Sequence, residues 1–171
     1  QLKNILMAVI AASKSNLDLK KIFSVIPRLS PVEGRFEKVG KIKNKSLVFL
    51  DYAHTPDALQ TCILNIREQF SDKHISVLFG CGGDRDKGKR SKMGKIADKY
   101  ADKIYLTDDN PRHERPKKIR DEIKRGIKKR QIIEISNRKE AIAKAINNLN
   151  TGDILIVAGK GHEKIQQIGN R

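Results

Sequence analysis

"ISVLFGCGGDRDKGKRSKMGKIADKYADKIYLTDDNPR", residues 75–112, carries the fold in miniature. It opens on an apolar run, Ile75 to Phe79, whose branched and aromatic residues suit a strand. A polar, glycine-rich loop follows. "SKMGKIADKYA" (91–101) reads as a helix and "KIYLT" (103–107) as the next strand. Strand, loop, helix and strand in this order predict two parallel strands joined by a right-handed crossover. The second strand stops at "DDNPR" (108–112), where Pro111 has no amide hydrogen to continue a ladder. That cluster is either a polar turn or a fixed loop that aims Asn110 and Arg112 at a ligand.

The same alternation extends both ways. "SLVFLD" (46–51), "QIIEI" (131–135) and "DILIVAG" (153–159) read as strands. "PDALQTCILNIREQF" (56–70) has helical periodicity, with Leu59, Cys62, Ile63 and Ile66 on one side and proline in the first turn. "PKKIRDEIKRGI" (116–127) and "NRKEAIAKAINNLN" (137–150) read as helices, the second capped by Asn137. The expectation is an α/β domain of five strands in a mostly parallel sheet. The strands are apolar almost throughout, as when helices cover both faces. Residues 1–33 differ: they suggest two short helices and a connector, and Pro31 and Gly34 mark the boundary.

Ligands of such sheets gather beyond the carboxyl ends of the strands. "DYAHTP" (51–56), "GCGGDRDKGKR" (80–90), "TDDNPR" (107–112) and "AGKGHE" (158–163) are the loops expected there. Gly83 to Lys89 fits the first part of a phosphate loop, but Arg90 stands where a magnesium-binding Ser or Thr belongs. The glycines either permit tight turns that project Arg85 toward an anion, or they belong to a surface turn. Asp51 at a strand end suits a ribose hydroxyl, and His54 lies near a helix start, where a neutral imidazole is favoured. Arg85 and Arg112 suit carboxylates or phosphates, and Glu163 suits an ammonium. A small zwitterion would satisfy that mixture.

The chain has 171 residues and a formal net charge of +16. The cations are scattered over every segment and aromatics are 5%, so we expect no nucleic-acid partner. No apolar run approaches the roughly 20 residues of a membrane span, and no signal peptide is evident. Cys62 and Cys81 give neither a disulfide framework nor a metal spacing. A cytoplasmic monomer is the expectation. The chain begins without methionine and reads as a piece of something longer.

"EGRFE" (33–37), "DYAHTPDAL" (51–59), "FGCGGDRDKGKR" (79–90), "DDNPR" (108–112) and "AGKGHE" (158–163), in this order, resemble the Mur ligases of peptidoglycan synthesis. The resemblance spans nearly the whole chain. It is strongest to the members that add meso-diaminopimelate to UDP-N-acetylmuramoyl-L-alanyl-D-glutamate, because the lysine-adding relatives lack the arginine of "DNPR". It implies that residues 34–171 form a Rossmann-like third domain, cut short at its end, and that residues 1–33 are the tail of a central ATP-binding domain. It implies ATP and Mg2+ as cofactors, and an acyl phosphate attacked by the incoming amine. Asn4, Arg35, Asp51 and His54 would contact ATP. Arg85, Asp109, Asn110, Pro111, Arg112, Gly159 and Glu163 would hold diaminopimelate. The P-loop, the magnesium ligands and the catalytic groups would lie outside this fragment, leaving it inactive alone.

Overall fold

In the computed structural model, residues 2–30, 32–41 and 44–170 are described. They form two compact units, residues 1–32 and 33–171. The first holds α1 (Leu2–Lys14), α2 (Leu19–Val25) and a 3-10 turn (Ile26–Arg28). Asp18 caps α2 by accepting from Lys20 N at 3.2 Å. The helices flank an apolar groove of about 490 Å³ lined by Ile5, Val9, Ile22 and Leu29. Met7 and Phe23 remain exposed, so this unit hides little of its own apolar surface.

The second unit is built on a six-stranded sheet ordered β1-β2-β6-β3-β4-β5. The strands are β1 (Glu37–Lys41), β2 (Leu47–Asp51), β3 (Ile75–Phe79), β4 (Lys103–Leu106), β5 (Ile132–Glu134) and β6 (Ile154–Ala158). All neighbours pair in parallel except β1, which runs antiparallel to β2 with an irregularity between Lys38 and Gly40. Side chains alternate along each strand. On β6, Ile154, Ile156 and Ala158 enter one core cluster, and Leu155 and Val157 the other.

The larger cluster is covered by α3 (Pro56–Gln69), α4 (Gly88–Tyr100) and α5 (Pro116–Lys124). The smaller is covered by α6 (Arg138–Asn147) through Ala141 and Ala145. Two of these helices open on side-chain caps. Thr55 Oγ1 accepts from Ala58 N at 3.3 Å ahead of Pro56, and Asn137 Oδ1 accepts from Glu140 N at 3.2 Å. Leu59, Ile63 and Ile66 of α3 are wholly buried, and each contributes about 1.5–3 kcal/mol by leaving water.

Two expectations need correction. A sixth strand, β1, precedes the five that were expected. Its one large apolar residue, Val39, is 58% exposed, so this edge strand is held by backbone pairing to β2 and leaves no apolar pattern. Helix α4 begins at Gly88, three residues earlier than the hydrophobic pattern predicts, because Arg90 in its first turn is fully buried.

Candidate functional site

The parallel pairing of β2, β6, β3 and β4 brings their carboxyl ends, and the four polar loops, to one edge. The loops after β3 and β4 touch backbone to backbone: Gly83 N donates to Asn110 O at 2.8 Å. A Cβ on Gly83 would lie 1.9 Å from Pro111 O, and one on Gly80 2.3 Å from Thr107 O. These glycines therefore serve close approach. Within this loop the left-handed residue is Asp84, at φ +52°. Gly83→Ala should separate the loops at a cost of about 1–3 kcal/mol, the usual range for overpacking. Gly40→Ala, whose Cβ would meet nothing within 4 Å, is the control. Equal urea midpoints for the two variants would refute this account of Gly83.

The phosphate-loop reading of Gly83 to Lys89 fails at Arg90. Its guanidinium donates to Glu122 Oε2 at 2.7 Å, to both oxygens of Glu114 at 2.8 and 3.0 Å, and to Gly82 O at 3.1 Å. Glu114 Oε1 also accepts from Asp84 N at 2.7 Å. Where a phosphate loop places a hydroxyl beside magnesium, this chain has a latch that ties α4, α5 and both loops together.

Above the latch lies a cavity of about 330 Å³. Arg85, Asp109, Asn110, Arg112, Gly159 and Glu163 line it, together with His54. Pro111 is buried behind it, its carbonyl against Gly83. Arg112 adopts φ +50°, a conformation that costs a non-glycine residue of order 1 kcal/mol or more. The segment after β6 holds it there: Arg112 N donates to Gln167 O at 3.2 Å, and Gly169 N to Arg112 O at 2.8 Å. The Arg112 guanidinium donates through Nε to Gln167 Oε1 at 3.0 Å and through Nη1 to Gly83 O at 2.9 Å. Nη2 has no partner among the described residues. Arg85 is exposed at the rim and, among the described residues, is held only to Asp84 O at 3.2 Å.

Glu163 lines the same cavity. Its carboxylate accepts from Tyr52 Oη at 3.0 Å, Asn110 Nδ2 at 3.1 Å and Lys160 Nζ at 3.0 Å. Burial pushes this carboxyl up, but the bonds from Lys160, Tyr52 and Asn110 outweigh it and hold it below the ordinary glutamate value. Lys160 and Tyr52 escaped the sequence reading, although both lie inside the quoted loops. A lysine between two glycines looks solvated, yet Lys160 is 6% exposed. Gly159, at φ +107°, and Gly161, at φ +49°, let the backbone turn sharply around it. Arg138 at the start of α6 was missed too. It donates through Nη2 to Ala158 O at 2.8 Å, while Nη1 is buried without a partner among the described residues.

The residues named for ATP do not gather in one cluster: His54 lines the cavity, and the others do not. Asp51 accepts from Phe36 N at 2.6 Å and Ala53 N at 2.8 Å, so its oxygens brace the backbone at the end of β2. Burial outweighs those bonds and raises its pKa. His54 bonds Tyr52 O through Nδ1 at 2.8 Å, and the Arg35 guanidinium carbon stands 4.5 Å over the Tyr52 ring. Asn4 is exposed on α1, in the first unit. Cys81 lines the cavity, but burial pushes its thiol up to about 12, which makes it a poor nucleophile. Among the described residues, no three His, Cys, Asp or Glu side chains gather to hold a metal, and no helix is long and apolar enough to cross a membrane.

A protein with 47% identity to this chain is the UDP-N-acetylmuramoyl-L-alanyl-D-glutamate–2,6-diaminopimelate ligase of Rickettsia felis, matched over 100% of the chain and 32% of the relative. The ligase of the same name from Rhizobium meliloti is 48% identical over 99% of the chain and 34% of its own length. The chain thus spans about a third of the length of these relatives. A solved structure of a ligase of that name shares 38% identity with a TM-score of 0.74, over 99% of this chain and 35% of that one. The UDP-N-acetylmuramate–alanine ligase of Thermotoga maritima, 22% identical with a TM-score of 0.67 over 92% of this chain and 34% of its own, shares the fold. The profile "Mur ligase, glutamate ligase domain" matches residues 34–161, and the chain belongs to the Mur ligase family.

Proposed function

We propose that this chain is the amino-acid-binding part of an ATP-dependent ligase that joins meso-diaminopimelate to UDP-N-acetylmuramoyl-L-alanyl-D-glutamate in the cytoplasm. The observation that carries the reading is one small cavity lined by both signs of charge: the free edge of Arg112, and the Glu163 carboxylate with Asn110 bonded to it. Diaminopimelate carries an ammonium and a carboxylate at its distal carbon. Arg112 suits the carboxylate through guanidinium N–H groups, and Glu163 suits the ammonium. The names of the relatives point the same way.

In this reading the chain's residues bind and orient. ATP, held largely outside this chain, would supply the terminal phosphoryl group that turns the precursor's glutamyl carboxylate into an acyl phosphate, with ADP as the leaving group. The amine of diaminopimelate, having lost its proton, attacks that carbonyl carbon; the C–N bond forms, the C–O bond to phosphate breaks, and inorganic phosphate leaves. Fixing the distal end of the amino acid between Arg112 and Glu163 holds the reacting amine at one distance from the acyl phosphate, the source of the rate gain. Arg35 and His54, at the same edge, and Asn4 on α1 are the proposed contacts to ATP; Asp51 would serve by holding the loop that carries His54. The described residues do not fit a magnesium site, since Arg90 fills the phosphate-loop position.

The assay is amide formation by a full-length ligase carrying this chain, with meso-diaminopimelate and with lysine. Equal use of both would overturn the assignment. The purified 171-residue chain, by contrast, should release no phosphate from ATP, because Arg90 and its two carboxylates occupy the place of a nucleotide loop. Magnesium-dependent release above a contaminant control would contradict that expectation.

A further inference from the structure

Lys160 does not itself line the cavity but bonds two residues that do, Asn110 and Glu163, and its side chain is 8% exposed. Nζ donates to Asn110 Oδ1 at 2.8 Å and to Glu163 Oε2 at 3.0 Å. Asn110 Oδ1 accepts a second bond from Gln167 N at 2.9 Å, while Asn110 Nδ2 points at Glu163. The amide can face only one way: flipped, its NH2 would meet an ammonium and an N–H. Thus the two groups assigned to a ligand's ammonium are already set around a cation that belongs to the protein.

We propose that Lys160 is a positioning residue of the amino-acid site, a resident ammonium that fixes the orientation of Asn110 and Glu163 before the ligand enters. The inference rests on the proposed function of that cavity. Without Lys160 the Asn110 amide would lose the partner that distinguishes its two ends. Glu163 would keep its burial but lose a charged partner, so its carboxyl would rise. The groups around Glu163 are Tyr52 after β2, Asp109 and Asn110 after β4, Lys160 after β6 and Arg138 on α6. Tyr52 is neutral well past neutrality, its own proton held by Glu163. Lys160 is therefore the only direct cationic partner of Glu163 among the described residues.

There is a consequence for ligand choice. A carboxylate already paired with a resident ammonium attracts a second one less strongly, so the ligand's ammonium alone cannot dominate binding. The carboxylate held by Arg112 must carry much of the selection, which favours a ligand with a carboxylate at that end.

The test uses a full-length ligase carrying this chain, with Lys160→Met and with Arg112→Ala as reference. Lys160→Met should raise KM for meso-diaminopimelate roughly ten- to a hundredfold, the scale of a lost charge-assisted bond, and move KM for ATP little. It should also shift the acid limb of kcat/KM to higher pH. Activity that needs ionised Glu163 is lost as pH falls through its pKa, and a raised pKa brings that loss earlier. A raised KM with the acid limb in place would reduce Lys160 to a packing residue and overturn the proposal. If Arg112→Ala is silent as well, the site assignment itself fails; if Arg112→Ala acts and Lys160→Met does not, this inference alone fails. Should Lys160→Met not fold, carbon-detected titration of the native Glu163 carboxyl decides: a value at or above the ordinary glutamate range excludes the resident cation's role.

Discussion

Arg112→Ala, in a full-length ligase carrying this chain, is expected to lower kcat/KM for meso-diaminopimelate by roughly ten- to a hundredfold while leaving lysine nearly unaffected. The range follows from about 1.5–3 kcal/mol for hydrogen bonds to charged groups. Read from the sequence alone, a fully buried guanidinium left unpaired by lysine would give about 3–5 kcal/mol. The structure lowers that figure. Arg112 is half-buried, and Gly83 O and Gln167 Oε1 satisfy part of it without any ligand. Lysine therefore does not strand the cation; it only forgoes the bonds from its free edge. Those same bonds raise the question of structural damage, and the ratio of the two amino acids answers it. A collapsed loop would depress both substrates together, whereas a lost carboxylate contact depresses one. Arg112→Lys should recover part of the ratio, since an ammonium lacks the planar pair of N–H groups. An unchanged diaminopimelate-to-lysine ratio in Arg112→Ala would make "DDNPR" a structural turn.

The alternation between residues 46 and 159 is legible because each buried strand needs an unbroken apolar run and each covering helix an apolar stripe, and those periods differ. Proline and capping residues punctuate it at Thr55-Pro56, Arg115-Pro116 and Asn137. Strand β1 is not legible, because an exposed edge strand paired through backbone needs no apolar residue. The loops are legible as a group, since polar glycine-bearing stretches ending four parallel strands must share an edge. Their wiring is not. The sequence holds 36 Lys and Arg against 20 Asp and Glu, and nothing in their order says that Arg90 takes Glu114 and Glu122 or that Lys160 takes Glu163. Those pairings depend on where the loops fold back over one another, and that is decided by the contact of Gly80 and Gly83 with the chain after β4. Arg90 was visible as a mismatch to a phosphate loop; only the structure shows what the mismatch is for.

Arg90→Met is expected to destabilise the second unit by about 3–5 kcal/mol, the cost of removing one partner from a buried ionic cluster. That is a large part of the 5–15 kcal/mol typical of a whole domain. Arg90 is 0% exposed, and its partners Glu114 and Glu122 are 13% and 15% exposed at the side chain. With the guanidinium gone, two carboxylates face each other at the junction of α4 and α5. The cation left nearby is Lys87, 4.0 Å from Glu114 and itself exposed. The pH dependence identifies the cause. Arg90's hydrogen bonds, with help from the backbone N–H of Asp84 and the charge of Lys87, overcome burial and hold the Glu114 carboxyl down to about 2. A carboxyl depressed in the folded state contributes stability above its unfolded pKa, near 4.3, and loses it as pH falls toward the folded value. In the native chain this contribution is complete at neutral pH and fades between about 4 and 2. Arg90→Met lacks that contribution, so its carboxylates gain rather than lose by protonation. Urea unfolding of the 171-residue chain, followed by far-ultraviolet circular dichroism, should show a wide gap between native and variant at pH 7 that narrows toward pH 3. A gap below about 1 kcal/mol at pH 7, the worth of a surface pair, would mean that the latch is incidental. A gap of full size that ignored pH would mean that packing around the Arg90 stem, and not its charge, holds the two loops together.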